Sequence, residues 1–332
     1  MTGIPRDDQP TSPSQLSPAL SEAAVVAHVL RSGTIESVHR GSVVVTGPDG
    51  EVEWSLGGAD GYVFPRSSLK PVQAVAMVEN GLSLSPELLA LVCASHSGEE
   101  RHLAGVRRIL AGAGLGESDL QNTPDYPYDE TARHAVIRAG GGRMSITQNC
   151  SGKHSGMLAT CQANGWPTDS YREPSHALQR AITAVVERMC GPVDALAVDG
   201  CGAPVHHVSL AGLARAFGAL ALAPAGSARA RVAEAMASYP EMVGGKGRGV
   251  TAVMSASPGL VAKDGAESVY AVGLPDGRGV AVKIADGYPR AAPVVCAQVL
   301  RRLGVDESAL RELEAAPILG HGKVVGAVVA AF

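Results

Sequence analysis

Aromatic and charged residues are scarce in this chain of 332 residues, at 4% and 18%, and the formal net charge is only −4. A slightly acidic chain does not have the basic surface that binds nucleic acid, so no nucleic-acid partner is expected. No apolar run approaches the roughly 20 residues needed to cross a bilayer, so no membrane partner is expected either. Hydrophobic residues nevertheless reach 45%, which predicts a folded core rather than a disordered chain.

Short signatures of several enzyme classes are also missing. The chain contains no H-E-x-x-H, C-x-x-C or G-x-S-x-G segment, which argues against a zinc protease of that type and against an α/β-hydrolase nucleophile turn. The glycine-rich residues 244–249 lack the Ser or Thr that follows Gly-Lys in a phosphate-binding loop. These absences disfavour nucleotide-dependent chemistry.

The first residues of the chain are polar and rich in proline and serine, with Arg6, Asp7 and Asp8 where a secretory signal would be apolar. We therefore expect residues 1–21 to form a disordered tail that is not an export signal. Six cysteines in such a chain indicate reduced thiols and a cytoplasmic location. No linker or internal repeat is visible, so residues 22–332 are predicted to form a single domain.

The pattern of apolar residues predicts strands at both ends of the chain and helices between them. Residues 24–31, 35–46 and 51–56 have strand-like spacing, and a Gly-Pro-Asp-Gly turn separates the last two. Strand-like runs return at residues 196–198 and again at 260–262, 268–272 and 279–284, and residues 321–329 supply a final apolar strand. This order predicts an α+β fold: the terminal strands share one mostly antiparallel sheet, and a helical region is inserted between them.

An S-x-x-K motif joins Ser67 to Lys70 just before a helix-like run at residues 72–80. Pro71 has no N–H and must lie in the first turn, which places the helix start close to Ser67. Residues three apart on a helix share a face, so the Ser67 hydroxyl and the Lys70 amine can meet. A neutral lysine can accept the serine proton, and free N–H groups at a helix start can stabilise an oxyanion. On the motif alone, a capped surface helix remains an alternative.

A second lysine motif, Lys263-Asp264-Gly265, follows an apolar strand. Penicillin-recognising serine acyl-enzymes carry K-T-G at a strand edge that faces the S-x-x-K serine, although aspartate replaces threonine here. The alternative is a simple turn between two strands. Lys283, in the strand-like residues 280–284, is a rival for the second lysine.

Two further groups of polar residues stand out. Ser95 and His96 occur on a short polar loop between helices, where a second catalytic serine and an ordinary inter-helix turn are both possible readings. Cys150 and Cys201 each lie on a glycine-flanked polar segment. Thiolates suit zinc or another soft metal, but free cysteines more often fill a core.

Five segments together resemble the asparaginase II family, the rhizobial-type L-asparaginases, over about residues 22–331. They are residues 65–71, 94–99, 149–157, 199–204 and 263–267. The family is similar in architecture to serine β-lactamases and serine-dependent glutaminases, so the resemblance implies a β-lactamase/glutaminase-like fold. It also implies hydrolysis of L-asparagine to L-aspartate and ammonia. Ser268 departs from the pattern, because a glycine is expected at that position.

The resemblance assigns roles to individual residues. It implies two Ser–Lys pairs, Ser67 with Lys70 and Ser95 with Lys263. It also implies a zinc site near the substrate pocket, with a structural rather than nucleophilic role, and a homodimer. The zinc ligands would be Cys150, Lys153 and Cys201, and the substrate-binding residues would be His96, His154 and Asp199.

Two other classes of function remain open from the sequence. One is a different serine acyl-enzyme, such as a glutaminase or a penicillin-binding hydrolase, although the chain contains no S-D-N triplet. The other is a catalytically dead protein that only binds a small molecule or a metal. The presence of both serines and both lysines argues against the second reading.

Overall fold

Strands from both ends of the chain pair in one antiparallel sheet in this computed structural model, which describes residues 16–311 and 313–332. In those ranges the sheet has eight strands, with the order β10-β11-β1-β2-β9-β8-β7 and with β3 paired to β2. Their bounds are β1 Ala24–Arg31, β2 Thr34–Thr46, β3 Val52–Leu56, β7 Val261–Gly265, β8 Val269–Gly273, β9 Gly279–Ile284, β10 Ala315–Gly320 and β11 Lys323–Ala330. The predicted α+β arrangement is confirmed, since β1 pairs with β11.

The helical region is inserted between β3 and β7, as the sequence predicts. Its helices are α2 Lys70–Glu79, α3 Pro86–Val92, α4 Glu100–Gly112, α5 Glu130–Arg138, α6 Ser151–Asn164, α7 Ala177–Cys190, α8 Leu210–Ala221, α9 Ala228–Ser238, α10 Pro240–Val243 and α11 Gly249–Ala256. After β9 the chain forms α12 Ala291–Arg302 and α13 Glu307–Leu310. The helices α8 and α12 both pack on the sheet.

Helix α8 lies unusually close to the sheet, and two glycines make that approach possible. A Cβ atom at Gly279 would lie 1.9 Å from the Ala214 carbonyl oxygen, and one at Gly273 would lie 2.0 Å from that of Phe217. Phe217 and Leu213 of α8 are fully buried. The large apolar area removed from water at this contact is a main source of stability for the core.

A small second sheet consists of β4 Tyr62–Val63, β6 Pro204–Ser209 and β5 Ala195–Val198, in the order β4-β6-β5. The sequence predicts a strand at residues 196–198, within β5, but neither β4 nor β6 nor the sheet that they form. Its strands are antiparallel, with Val63 paired to Val208 and Val198 paired to Pro204. The pairing fixes the segment before Ser67 against the two strands that flank residues 199–203. It therefore brings together two segments that are more than a hundred residues apart.

The predicted tail, residues 1–21, falls only partly within the described residues, since residues 1–15 lie outside them. Pro18–Ser21 form the short helix α1, and the Ser17 side chain accepts a hydrogen bond from the Ala19 N–H. Ala19 is fully buried, and its carbonyl accepts a hydrogen bond from Ser42 Oγ at 2.9 Å. The packed fold thus includes residues before the predicted boundary at 22.

The final strand predicted at residues 321–329 is a hairpin in the structure. Strands β10 and β11 pair from Ala315 with Val329 to Gly320 with Lys323, and the turn between them is His321-Gly322. Alanine and proline in β10 give it little strand character in the sequence. None of the helices in the described ranges has both the length and the apolar content that a membrane crossing requires.

Candidate active site

Ser67 lies in a 3-10 turn, Arg66–Leu69, that leads directly into α2. The Ser68 N–H and Ser68 Oγ both donate to the Pro65 carbonyl, at 3.2 and 2.7 Å, which fixes the turn. Pro71 falls in the first turn of α2, as predicted. Arg66 has a φ of 54°, a left-handed conformation that is unfavourable for a residue with a side chain. The half-buried Ser67 is thus presented on a constrained turn.

The Lys70 amine contacts Ser95 and not Ser67. Lys70 is buried, and its Nζ donates to the Ala94 carbonyl and to Ser95 Oγ, the latter at 3.2 Å. Within the described part of the chain, no hydrogen bond joins Lys70 Nζ to Ser67 Oγ. Ser67 and Ser95 nevertheless line the same cavity, whose volume is about 400 Å³. The two serines and Lys70 therefore form one cluster.

The loop that carries Ser95 is held by buried hydrogen bonds. The Ser95 N–H donates to the Val243 carbonyl at 3.0 Å. His96 is fully buried, and both of its ring nitrogens are engaged, one by the Gly98 N–H at 3.1 Å and one by Ser151 Oγ at 2.8 Å. Burial, followed by the neighbouring His102, lowers the pKa of His96, so the ring is neutral at pH 7. His96, predicted to bind substrate, is placed here as a brace for the loop and does not line the cavity.

Lys263 is fully buried at the edge strand β7, and its amine bonds to its own neighbour in the chain. Its Nζ donates to the Asp264 carbonyl at 2.8 Å and to the Asp264 carboxylate. Burial lowers the pKa of Lys263 to about 8; the Asp264 carboxylate opposes this and the charge of Lys70 adds to it. The expected hydrogen bond between Lys263 and Ser95 does not occur within the described residues. Lys70 is nonetheless close enough for its charge to act on Lys263.

Lys283, the rival second lysine, braces the turn between β7 and β8. Its Nζ donates to the Glu267 carbonyl. Glu267 and Ser268 both adopt left-handed φ angles, 57° and 56°, which explains why glycine is the expected residue at position 268. Lys283 therefore supports an unfavourable turn on one wall of the cavity.

Arg248 completes the charged cluster and was not identified from the sequence. Its guanidinium donates to the Asp264 carboxylate at 2.9 Å and to the Ser95 carbonyl at 3.4 Å, and it lies 4.3 Å from the centre of the Tyr128 ring. The pKa of Asp264 stays below its usual range, because the charges of Lys263 and Arg248 outweigh the effect of burial. The only feature of the sequence that draws attention to Arg248 is its position in the glycine-rich residues 244–249, and that segment does not fit the phosphate-loop pattern.

Gly265 lets the edge strand β7 touch the turn that carries Ser67. A Cβ atom at this position would lie 2.2 Å from the Pro65 carbonyl oxygen and 3.1 Å from the Ser68 nitrogen. Only glycine permits this approach. The third position of the K-x-G motif thus has a physical basis: it sets the distance between β7 and the Ser67 turn.

The proposed metal ligands lie together beside this cluster. Lys153 is buried in the first turn of α6, and its Nζ donates to Cys201 Sγ at 3.2 Å. A hydrogen bond from Cys150 lowers the pKa of Cys201 well below its usual value; burial opposes this, and the charge of Lys153 reinforces it. The two thiols are soft donors that fit zinc. Burial lowers the pKa of Lys153, but the charges of Cys201 and Cys150 outweigh it and raise that pKa above its usual value, so the amine completes the donor set only when it gives up its proton. Within the described ranges, no group of three or more His, Cys, Asp or Glu side chains is arranged so that it could bind a metal ion.

Asp199 connects this group of ligands to the Ser67 turn. Its Oδ1 accepts a hydrogen bond from Arg66 Nε at 2.6 Å, and its Oδ2 lies 3.9 Å from Cys201 Sγ. Burial raises the pKa of Asp199, but Lys153 and Arg66 outweigh it, so the carboxylate is ionised. The carboxylate of Asp199 is thus paired with the turn that carries Ser67, but Asp199, predicted to bind substrate, does not itself line the cavity that contains the two serines.

His154 is fully buried behind the thiols. Its Nδ1 bonds to the Tyr171 hydroxyl at 2.7 Å, and its Nε2 has no hydrogen-bond partner among the described residues. Burial, followed by the charge of Lys153, lowers its pKa, so the ring is neutral. His154 does not line the cavity that contains the two serines.

Comparison with known protein families gives a sequence match over almost the whole chain. The sequence profile of the L-asparaginase II family matches residues 27–330, whereas no curated protein matches the chain. Among solved structures, a β-lactamase from Mycobacterium bovis is 17% identical with a TM-score of 0.47, over 79% of this chain and 94% of its own. Mglu in its native form is 15% identical with a TM-score of 0.36, over 79% of this chain and 60% of its own. Both TM-scores lie below 0.5, so the family match alone carries the assignment.

Proposed function

We propose that this chain, which belongs to the L-asparaginase II family, hydrolyses L-asparagine to L-aspartate and ammonia. Family membership makes it a serine-type amidohydrolase. The choice of asparagine as the substrate is supported by Asp199, whose ionised carboxylate lies next to the Ser67 turn and can bind the α-amino group of an amino acid. The observation that carries the proposal is that Ser67 and Ser95 line one cavity while the buried Lys70 amine is bonded to Ser95.

In the proposed mechanism, Ser67 is the nucleophile that attacks the side-chain amide carbon. Its hydroxyl is half-buried, lines the cavity, and has no hydrogen-bond acceptor among the described residues. The uncharged Lys70 amine is the base, and the proton reaches it through Ser95 Oγ, which is already bonded to Lys70 Nζ at 3.2 Å. A backbone N–H beside the nucleophile can stabilise the oxyanion of the tetrahedral intermediate, and the Ser67 N–H, which makes no hydrogen bond within the described residues, is available for this.

The second half of the cycle returns the same proton. Lys70 delivers it through Ser95 to the leaving nitrogen, so the C–N bond breaks and ammonia departs. One water molecule then hydrolyses the Ser67 ester and releases aspartate. Lys263 supports this exchange, because burial lowers its pKa to about 8 and so allows it to change its charge near neutral pH.

Cys150, Lys153 and Cys201 would hold zinc, since their donor set fits that metal. When bound, zinc supplies positive charge that helps to organise the polar groups around the pocket. The serines and lysines carry out the cleavage of the amide C–N bond. Asp199 and the neutral His154 flank the ligands, and Asp199 orients the substrate.

Two further parts of the proposal concern location and assembly. All six cysteines are free thiols in the structure, which supports a cytoplasmic location. A homodimer is supported by β5, an edge strand on which all four residues are exposed although all are apolar. Such a strand is a natural site for pairing with another chain.

Trapping of the acyl-enzyme tests the proposal directly. The protein is mixed with a slowly hydrolysed aspartyl ester or hydroxamate, quenched in acid and digested, and the peptides are analysed by mass spectrometry. We expect an aspartyl adduct on Ser67, its loss in Ser67→Ala, and faster ammonia release from asparagine than from glutamine. An adduct on Ser95, or no adduct together with full turnover in Ser67→Ala, would refute the nucleophile assignment.

A further inference from the structure

The cavity that contains the two serines continues well beyond them. From Ser67 and Ser95 it passes the edge of β7 and ends against the first turns of α11 and α12. We name its far end the distal subsite and define it by Val250, Ser268, Tyr270 and Ala292. The carboxylate of Asp199 is bonded to Arg66, the residue before Ser67, and is not part of the wall of this cavity.

Two buried hydroxyl groups in the distal subsite have no partner. Ser268 and Tyr270 are 4% and 3% exposed, and neither Ser268 Oγ nor Tyr270 OH makes a hydrogen bond within the described residues. A buried polar group without a partner costs free energy, so such groups normally face a ligand or an ordered water. Both residues line the cavity, so both hydroxyls are available to a bound molecule.

The two hydroxyls occupy a different face of the sheet from the buried lysine. Tyr270 pairs with Asp264 across β7 and β8, and Lys263 pairs with Ala271. Because side chains alternate along a strand, Tyr270 and Asp264 share the face opposite Lys263. The Tyr270 side chain therefore lies on the face that Asp264 occupies, and the Asp264 carboxylate, which is bonded to Lys263, connects the distal subsite to the proton-transfer groups.

The local charges favour an anion. The N-terminus of α11 contributes Gly249 and Val250 to the wall, and no side chain caps that end, so free N–H groups point outward there. Arg248 adds a positive charge. Its guanidinium uses two of its five N–H donors in hydrogen bonds to Asp264 and Ser95, so further donors are available to an anion. The charge of Asp264 is offset by both Lys263 and Arg248, and Glu267 is exposed at the rim.

We propose that the distal subsite binds the carboxylate of a leaving group, so that the enzyme also hydrolyses β-aspartyl dipeptides. This inference rests on the proposed function. With the substrate's α-amino group at Asp199 and its amide carbon at Ser67, a substituent on the amide nitrogen extends into the rest of the cavity. A carboxylate on that substituent can accept hydrogen bonds from Ser268 Oγ, Tyr270 OH and the α11 N-terminus.

The chemical step is the same as for asparagine, with an amino acid in place of ammonia. Ser67 Oγ forms a bond to the β-carbonyl carbon, and the bond from that carbon to the amide nitrogen breaks. The leaving amine takes the proton held by Lys70. One water molecule then converts the ester to aspartate, so one dipeptide and one water give aspartate and a free amino acid.

The test compares three substrates: L-asparagine, β-aspartyl-glycine and β-aspartyl-glycinamide. The last two differ only in the terminal carboxylate. We expect the wild-type enzyme to cleave β-aspartyl-glycine with a kcat/KM about tenfold higher than the glycinamide, a ratio in line with one or two charge-assisted hydrogen bonds. Ser268→Ala and Tyr270→Phe should each reduce that ratio severalfold, and Tyr239→Phe, at an exposed tyrosine outside the cavity, should leave it unchanged.

A binding measurement separates this inference from the proposed function. Calorimetric titration of Ser67→Ala with β-aspartyl-glycine should show binding that Tyr270→Phe weakens. If asparagine is cleaved but the wild-type enzyme makes no distinction between the dipeptide and its amide, the distal subsite is refuted and the asparaginase stands. If nothing is cleaved but the dipeptide binds in a Tyr270-dependent manner, the proposed function fails and the subsite stands. Absence of both cleavage and binding refutes both.

Discussion

Lys70 Nζ donates a hydrogen bond to Ser95 Oγ at 3.2 Å, across 25 residues of sequence, rather than to the serine three positions before it. The turn that holds Ser67 is a 3-10 turn, and α2 begins only at Lys70, so the two residues do not share a regular α-helical face. The lysine side chain instead enters the loop between α3 and α4. Ser95 is thereby the direct partner of the proposed base.

Removal of the Lys70 amine should abolish most of the activity. Lys70→Met is expected to lower kcat by a factor of 10² to 10⁴, the usual contribution of a positioned proton acceptor, and Ser95→Ala should lower it by at least tenfold because the relay is interrupted. Ammonia release under saturating asparagine measures both. Ser83→Ala, at an exposed serine, is the control and should retain wild-type kcat. Wild-type turnover in Ser95→Ala would rule out the relay.

The pH dependence should report the charge of Lys263. Its pKa is about 8, so its positive charge is lost as the pH rises through that value, and kcat/KM should change with a midpoint near it. Asp264→Asn removes the carboxylate that stabilises the cation, so the pKa falls and the midpoint moves to lower pH. Arg248→Gln removes a nearby positive charge, so the midpoint moves to higher pH.

The opposite directions of these two shifts make the pH test specific. A structural disturbance would lower activity at all pH values without moving the midpoint in a charge-dependent sense. Profiles of kcat/KM between pH 6 and 10 for the wild type and both variants provide the measurement. Midpoints that shift in the same direction, or not at all, would exclude Lys263 as the titrating group.

Gly265→Ala should uncouple β7 from the Ser67 turn. The added methyl group would lie 2.2 Å from the Pro65 carbonyl oxygen, so the turn or the strand must move. We expect a loss of about 1–3 kcal/mol in the free energy of unfolding and a fall in kcat of about 10²-fold from the displaced nucleophile. Gly112→Ala has open space around the new methyl group and should change neither the thermal midpoint nor kcat appreciably.

Loss of either thiol should remove zinc without preventing acylation. Cys150→Ser and Cys201→Ser replace soft sulfur ligands, so zinc affinity should fall by 10- to 100-fold or more, as measured by competition with a chromogenic chelator. Cys296→Ser, at a buried cysteine of α12, is the matched control and should retain the metal. The Ser67 adduct should still form in a chelator-treated wild type; its disappearance would mean that the metal takes part in bond cleavage.

A charge on β5 should separate the proposed homodimer. Val198 is 77% exposed and Leu196 is 46% exposed, and a lysine at position 198 would place a charge within an apolar strand-to-strand contact. We expect Val198→Lys to be monomeric by light scattering under conditions in which the wild type is dimeric. Val52→Lys, on the exposed strand β3, should stay dimeric. A monomeric wild type would exclude the dimer altogether.

The local features of the site could be predicted because they depend on neighbouring residues. Pro71 can occupy only the first turn of a helix, so the start of α2 followed from the sequence. The departure from glycine at Ser268 is visible in the sequence, whereas its left-handed φ of 56° is known only from the structure. The hairpin between β2 and β3 was set by its turn residues. Strand β10 was missed because its composition gives no local signal, and its pairing with β11 decides its structure.

The sequence by itself determined which side chains are available for catalysis and where most of the strands and helices lie, because spacing and turn chemistry act over a few residues. Only the tertiary structure decided which of these side chains contact each other. Arg66 meets Asp199 across 133 residues, and Arg248 reaches the Ser95 carbonyl across 153. Such contacts depend on how separate elements pack against each other. The close approach of Gly265 to the Pro65 carbonyl oxygen, for example, depends on the packing of the whole core and not on a local motif.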